Sequence, residues 1–133
     1  MHLNPYVLFN GTCEEALKFY EQTLGAKIET MMKTAGSPAE KDMPPDWGDK
    51  IMHSRIKIGD TLVMASDAPP GHYERPAGFS LSISVDDTEK GEKIFNALAE
   101  NGTIKMPFQP TFWAKGFGMC TDRFGVPWMV DCE

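Results

Sequence analysis

PYVLFNGTCEEALKFYEQTLGAKI, residues Pro5 to Ile28, reads as strand, capped helix, stop and strand. Tyr6 to Phe9 is a β-prone run that Asn10-Gly11 ends. Thr12 and Glu15 have the T-x-x-E spacing of a capping box, in which each side chain satisfies an orphan N–H at the helix start. Cys13, Ala16, Leu17, Tyr20 and Leu24 form a single apolar stripe at helical spacing. Gly25 suits the left-handed residue that closes a helix. The stripe must bury itself, and the nearest partner is the sheet made by the strands on either side.

The same unit occurs again. Phe79 to Val85, FSLSISV, alternates apolar residues and Ser at every position, the strongest strand signal in the chain. Asp86 and Glu89 repeat the capping spacing, Gly91, Ile94, Phe95 and Leu98 repeat the stripe, and Gly102 repeats the stop. A hairpin-like segment follows each unit, at 51–67 and at 116–132, and Gly59-Asp60 is a tight-hairpin dipeptide. The expected fold class is α+β, with two tandem βαβββ modules in a single domain. Module 1 spans about 1–67, a linker 68–78, and module 2 about 79–133.

Composition narrows the function. The net charge is −6, with no Lys/Arg cluster, which argues against a nucleic-acid surface. No apolar run is long enough to span a bilayer, and MHLNPYVLF lacks the basic-then-apolar build of a signal peptide. Cys13, Cys120 and Cys132 are an odd set without C-x-x-C spacing, which suits a reducing cytoplasm. Cys13 falls in the first helical turn, where the dipole lowers a thiol pKa. The competing reading, a small core residue, is favoured. Residues 33–50 form a long Pro-, Gly- and charge-rich loop anchored by Trp47, either a lid or arm or a solvated loop folded back on the core. His72 and Glu74 have H-x-E spacing but lack the Pro-Cys partner of a zinc deaminase, and so read as linker. Pro107 and Pro110 point to an edge strand after the second helix.

Period-2 alternation assigns faces. Phe79, Leu81, Ile83 and Val85 face the helix, leaving Ser80, Ser82 and Ser84 opposite. Tyr6 and Leu8 are placed on the helix side, and Pro5, Val7 and Phe9 on the other. Met52, Ser54, Ile56 and Ile58 are placed on the helix side, opposite Ile51, His53, Arg55 and Lys57. Two such sheets, curved by their twist and with helices on the outer face, make a cup. The alternative is a plain solvated sheet face.

Three segments carry a family resemblance. N-G-x-x-E-E-A-x-x-F-Y-x-x-x-L-G-A (Asn10 to Ala26), M-H-S-x-x-x-I-G-D-x-x-x-M-A-S-D (Met52 to Asp67) and F-W-x-x-x-F-G-M-x-x-D-R-F-G-V-P-W-M (Phe112 to Met129) resemble the PhnB-like branch of the vicinal oxygen chelate superfamily. That superfamily includes glyoxalase I, extradiol dioxygenases and the fosfomycin- and bleomycin-resistance proteins. The resemblance implies a glyoxalase-like cup built from two modules, and commonly a homodimer. Metal-dependent members present inward His or Glu ligands in four columns. Here those columns fall on Pro5, Met64, Ser80 and Met129, which do not make a ligand set for a hard or borderline ion.

No metal and no cofactor are therefore expected. A methyltransferase label attached to some relatives is discounted, because no Gly-rich loop marks a nucleotide site. The expected ligand-binding wall is Phe9, Arg55, Met64, Ser80, Ser82, Trp113 and Met129. His53 is the candidate general acid–base, since its unperturbed pKa lies near neutrality, with Asp67 as a possible orienting carboxylate. Arg55 suits a carboxylate or phosphonate. Trp128 is read as core. The favoured reading is a cytoplasmic, homodimeric protein that holds a small molecule, with anions among the candidates, and has no nucleic-acid or membrane partner. The second is an enzyme of the same fold using His53.

Overall fold

The computed structural model describes residues 1–133, which divide into two compact units, Met1–Glu74 and Arg75–Glu133. The division falls inside the stretch expected to be a linker.

The first unit has strand β1 (Tyr6–Phe9), helix α1 (Cys13–Leu24) and strands β2 (Lys27–Lys33), β3 (Ile51–Ile58) and β4 (Thr61–Asp67). The sheet order is β1-β4-β3-β2, with β1 parallel to β4 and the rest antiparallel. The second unit repeats this with β5 (Leu81–Val85), α2 (Thr88–Ala99), β6 (Thr103–Gln109), β7 (Gly116–Thr121) and β8 (Pro127–Cys132), in the order β5-β8-β7-β6. This is the βαβββ architecture, twice. Pro107 lies in β6, an edge strand as expected, where its missing N–H leaves no ladder bond unmade. The Gly59-Asp60 hairpin is also as expected: Gly59 takes φ +57° and Ile58 pairs with Thr61. The 33–50 loop is laced to itself, with the Thr34 N–H and hydroxyl both donating to the Lys50 carbonyl, and Trp47 is half-buried.

Helix α1 buries Cys13, Ala16, Leu17, Phe19 and Tyr20, and Gly25 closes it at φ +66°. The start differs from the T-x-x-E reading. Thr12 makes no side-chain cap bond, and the Cys13 N–H donates instead to Asp67 Oδ1 at 2.9 Å. Asp67 Oδ2 accepts the Ile51 N–H at 2.8 Å. An ionised acceptor at a helix N-terminus outcompetes a neutral hydroxyl, because it also meets the dipole. In the second unit the cap is Asp87, not Asp86, and it accepts from Glu89 N–H at 3.2 Å. The left-handed residue after α2 is Asn101 (φ 61°), not Gly102. Gly102 is needed for a different reason: a Cβ there would run into the Thr121 carbonyl.

The face of β1 is the reverse of the expected one. Val7 and Phe9 are buried, and Phe9 is 1 % exposed, while Tyr6 and Leu8 are 47 % and 41 % exposed. Phe9 pairs with Asp67, which caps α1, so Phe9 shares the helix face. Phe9 is therefore core, and its burial contributes about 1.5–3 kcal/mol. Ile51 is also buried, because residue 52 is an extra one: Met32 pairs with His53 and Lys33 with Ile51, a bulge that flips parity at Met52. Ser54 and Ile56 lie on the core side as expected, with His53, Arg55 and Lys57 opposite. Phe79 precedes β5 and is 55 % exposed rather than packed under α2.

All three cysteines are unpaired and buried. Burial pushes the Cys13 thiol up to about 12, against a hydrogen bond with Ser54 that lowers it, and pushes Cys120 up to about 11. Cys13 is thus a core residue without thiolate character. The folded protein keeps protons that the unfolded chain releases above its ordinary 9.0. Stability from these thiols is whole below that pH and falls as pH climbs toward 11, by up to about 1.4 kcal/mol per pH unit per thiol. Urea unfolding at pH 8 and pH 10 measures the fall, and a Cys13→Ala, Cys120→Ala double variant should show a smaller one.

Candidate functional site

Each sheet has one face against its helix and one open face. On the first sheet the open face carries a row of paired residues, Tyr6–Met64–Arg55–Thr30. Beside it the Tyr6 hydroxyl lies 3.2 Å from His53 Nδ1, with ring centroids 5.8 Å apart. Alternation alone does not foresee this contact, because it places Tyr6 on the helix side. Asp67 does not orient His53: both its oxygens are taken by the Cys13 and Ile51 N–H groups. His53 is half-buried, Met64 half-buried and Arg55 exposed.

The second sheet's open face carries the row Ser82–Met129–Met119–Met106, and beyond it Ser84–Asp131–Phe117–Gln109. The Ser84 hydroxyl donates to Asp131 Oδ1 at 2.6 Å. Trp113 is 52 % exposed and packs edge-on against Phe117 at 5.4 Å. Where residues 75–80 lead into β5, a cavity of ≈ 440 Å³ opens, lined among others by Ser80, Met119, Met129, Arg75 and Lys105. Trp128 forms part of its wall. It is 2 % exposed, as a core residue should be, and its Nε1–H donates to Asp122 Oδ2 at 2.8 Å.

Of the expected wall, Ser80 and Met129 thus meet in one cavity, Ser82 pairs with Met129, and Arg55 pairs with Met64. Phe9 is excluded. Trp113 joins the Phe117 cluster on the same sheet. Tyr6, Met119, Arg75 and Lys105 were missed. Met119 shows a sequence signal, the same alternation that marks Met129; Arg75 and Lys105 show none, as both are ordinary exposed cations.

The residues do not suit a divalent metal. The open faces offer Tyr6, Met64, Ser80, Ser82 and Met129 near the expected columns, and Pro5 lies out of phase with open-face Tyr6. Nowhere do three His, Cys, Asp or Glu side chains come together to hold an ion. Hard and borderline ions want imidazole or carboxylate, so no chemical step is assigned to a metal here.

The model of the Glyoxalase/Bleomycin resistance protein/Dioxygenase superfamily matches residues 2–130. Protein YjdN of Escherichia coli (strain K12) is 40 % identical over 141 residues, covering 98 % of this chain and 95 % of its own. The crystal structure of protein PA1353 from Pseudomonas aeruginosa is 50 % identical, with a TM-score of 0.90, covering 100 % of this chain and 98 % of that one. The PhnB protein from Bacillus cereus, 21 % identical with a TM-score of 0.85 and full coverage of both chains, shares the fold. No helix is long and apolar enough to cross a membrane.

Proposed function

The chain belongs to the Glyoxalase/Bleomycin resistance protein/Dioxygenase superfamily, and from that premise we propose that it binds a small molecule without a divalent metal. The observation that carries this reading is the ≈ 440 Å³ cavity on the second sheet, of the size that small ligands occupy. Its walls include the thioethers of Met119 and Met129, the Ser80 hydroxyl and the rings of Phe79 and Trp128. Flexible Met side chains adapt to varied ligands. A thermal-shift screen run with and without EDTA tests it. A ligand at a hundred times its Kd adds about 2.7 kcal/mol to stability, and that gain should survive the chelator. Stoichiometric metal in protein purified without chelator, or hits abolished by EDTA, would overturn the metal-free reading.

A second reading, catalysis, is favoured by one contact. The Tyr6 hydroxyl at 3.2 Å from Nδ1 steadies the His53 ring, leaving Nε2 for a ligand proton. His53→Ala should change stability by about 1 kcal/mol or less, since its one hydrogen bond is exposed. Any turnover should fall at least tenfold. A denaturation curve showing a much larger loss would make His53 a structural residue.

We propose, further, a cytoplasmic homodimer. The unpaired thiols suit a reducing compartment. Strands β2 and β6 leave edges that a second copy would cover. A monomer by sedimentation at about 50 μM would sink the dimer.

A further inference from the structure

We infer that the ligand of the second unit's cavity is a small organic anion, its charge held by Arg75 and Lys105 and its apolar body laid on Met119 and Met129. The inference rests on the reading of that cavity as the binding site. The cavity lining includes Arg75 and Lys105 and no carboxylate, in a chain whose net charge is −6. An anion repelled by the protein as a whole meets a local reversal of sign there.

The backbone is built to present one of these cations. Ile104 pairs with Cys120 and Met106 with Met119, so Lys105 is the extra residue of a bulge in β6. Bulges re-aim a side chain out of the strand's alternation, and they concentrate beside sites. The first unit has the same bulge at the equivalent place: Ile28 pairs with Ile56 and Thr30 with Arg55, leaving Glu29 extra. The two copies of one device thus carry opposite charges, Glu29 in the first and Lys105 in the second.

The face also sets an orientation. Two residues beyond Met129 on the same side of β8 stands Asp131, paired with Phe117. A carboxylate there repels an anionic head, which is driven toward Arg75 and Lys105. The apolar body then runs along the Met119–Met129 pair toward Phe117 and Trp113. An inorganic anion would leave that apolar wall uncovered.

Isothermal titration of the full chain with 4-phenylbutyrate, 4-phenylbutan-1-ol and inorganic phosphate tests this. The acid should bind at least tenfold more tightly than the alcohol and than phosphate. Arg75→Gln and Lys105→Gln should each weaken it about tenfold, as loss of one charge-assisted contact does. Both side chains are exposed, so the variants should keep the parent's unfolding curve. Equal binding of acid and alcohol, with neither variant having an effect, would overturn the anion assignment while leaving the cavity a binding site for neutral molecules. Phosphate binding as tightly as the acid would overturn the apolar-body contact. No binding of any probe up to about 10 mM would overturn the inference and the cavity reading together.

Discussion

Asp122→Ala is expected to destabilise the second unit by about 3–4 kcal/mol, among the larger effects any single substitution should have here. Asp122 is 3 % exposed and stands where β7 ends. Its Oδ1 accepts the N–H groups of Phe124 and Val126 at 2.9 and 3.0 Å, and its Oδ2 accepts the Trp128 indole N–H at 2.8 Å. Alanine removes the acceptor for all three donors. A buried donor left without a partner costs about 1–3 kcal/mol, softened where water can enter the gap. Asp122→Asn separates the roles. Its amide oxygen still serves the two backbone groups, but its NH₂ meets the indole N–H, donor against donor, so the loss should be about 1–2 kcal/mol. Denaturation followed by tryptophan emission gives both numbers. If the alanine variant lost less than about 1 kcal/mol, the carboxylate would not be what holds this turn.

Asp67→Ala should cost about 2–4 kcal/mol and loosen the start of α1. Two buried N–H groups, from Cys13 and Ile51, depend on that carboxylate, and the helix dipole adds to its attraction. Hydrogen exchange at these two amides should accelerate in the variant. The companion is Thr12→Ala. A working capping box would lose about 1 kcal/mol there, whereas a hydroxyl that makes no cap bond should cost no more than about 0.5 kcal/mol. A Thr12 variant weaker than the Asp67 variant would return the cap to the local motif.

These two aspartates show where sequence reading succeeds and stops. Periodicity placed both helices and nearly all the strands, because 3.6- and 2-residue spacings are local and each element obeys its own. The Ser alternation of β5 and the Pro of β6 were legible for that reason. Thr12 and Glu15 have the right spacing, yet the acceptor that serves α1 comes from Asp67, 54 residues beyond Cys13. Spacing shows which caps are possible and not which acceptor wins. The face of Tyr6–Phe9 is not legible because YVLF is apolar on both sides, and an unbroken apolar run carries no parity. The Met52 bulge hid Ile51 in the same way, since one inserted residue inverts everything before it.

The site was legible only in part. Met129 could be placed, being an outward position on a strand with clear alternation, and so could Ser80, which stands one residue before β5 and in phase with Ser82. Arg75 and Lys105 could not, since nothing in composition or spacing distinguishes an exposed cation beside a cavity from any other. Lys105 becomes visible only through the strand register. The D-R-F-G-V-P-W segment, which carries much of the family resemblance, is largely explained by the Asp122 hydrogen bonds, so its specificity is for a turn rather than for a ligand.

In the second sheet the central strand β8 is the last of its unit to be made. It lies between β5 and β7, and β5 has no other sheet neighbour. On a ribosome, β5 and α2 emerge early and remain without their sheet until Pro127–Cys132 has cleared the exit tunnel. The β6–β7–β8 meander can then form locally, but joining β5 closes a loop of more than forty residues, the slow kind of contact. Throughout that interval both backbone edges of β5 and its apolar face of Leu81, Ile83 and Val85 are open to other chains. The first sheet has the same design, but its central strand β4 is complete by residue 67, while the second unit is still being translated. Synthesis from the N-terminus therefore supplies a finished first sheet before the vulnerable period of the second begins.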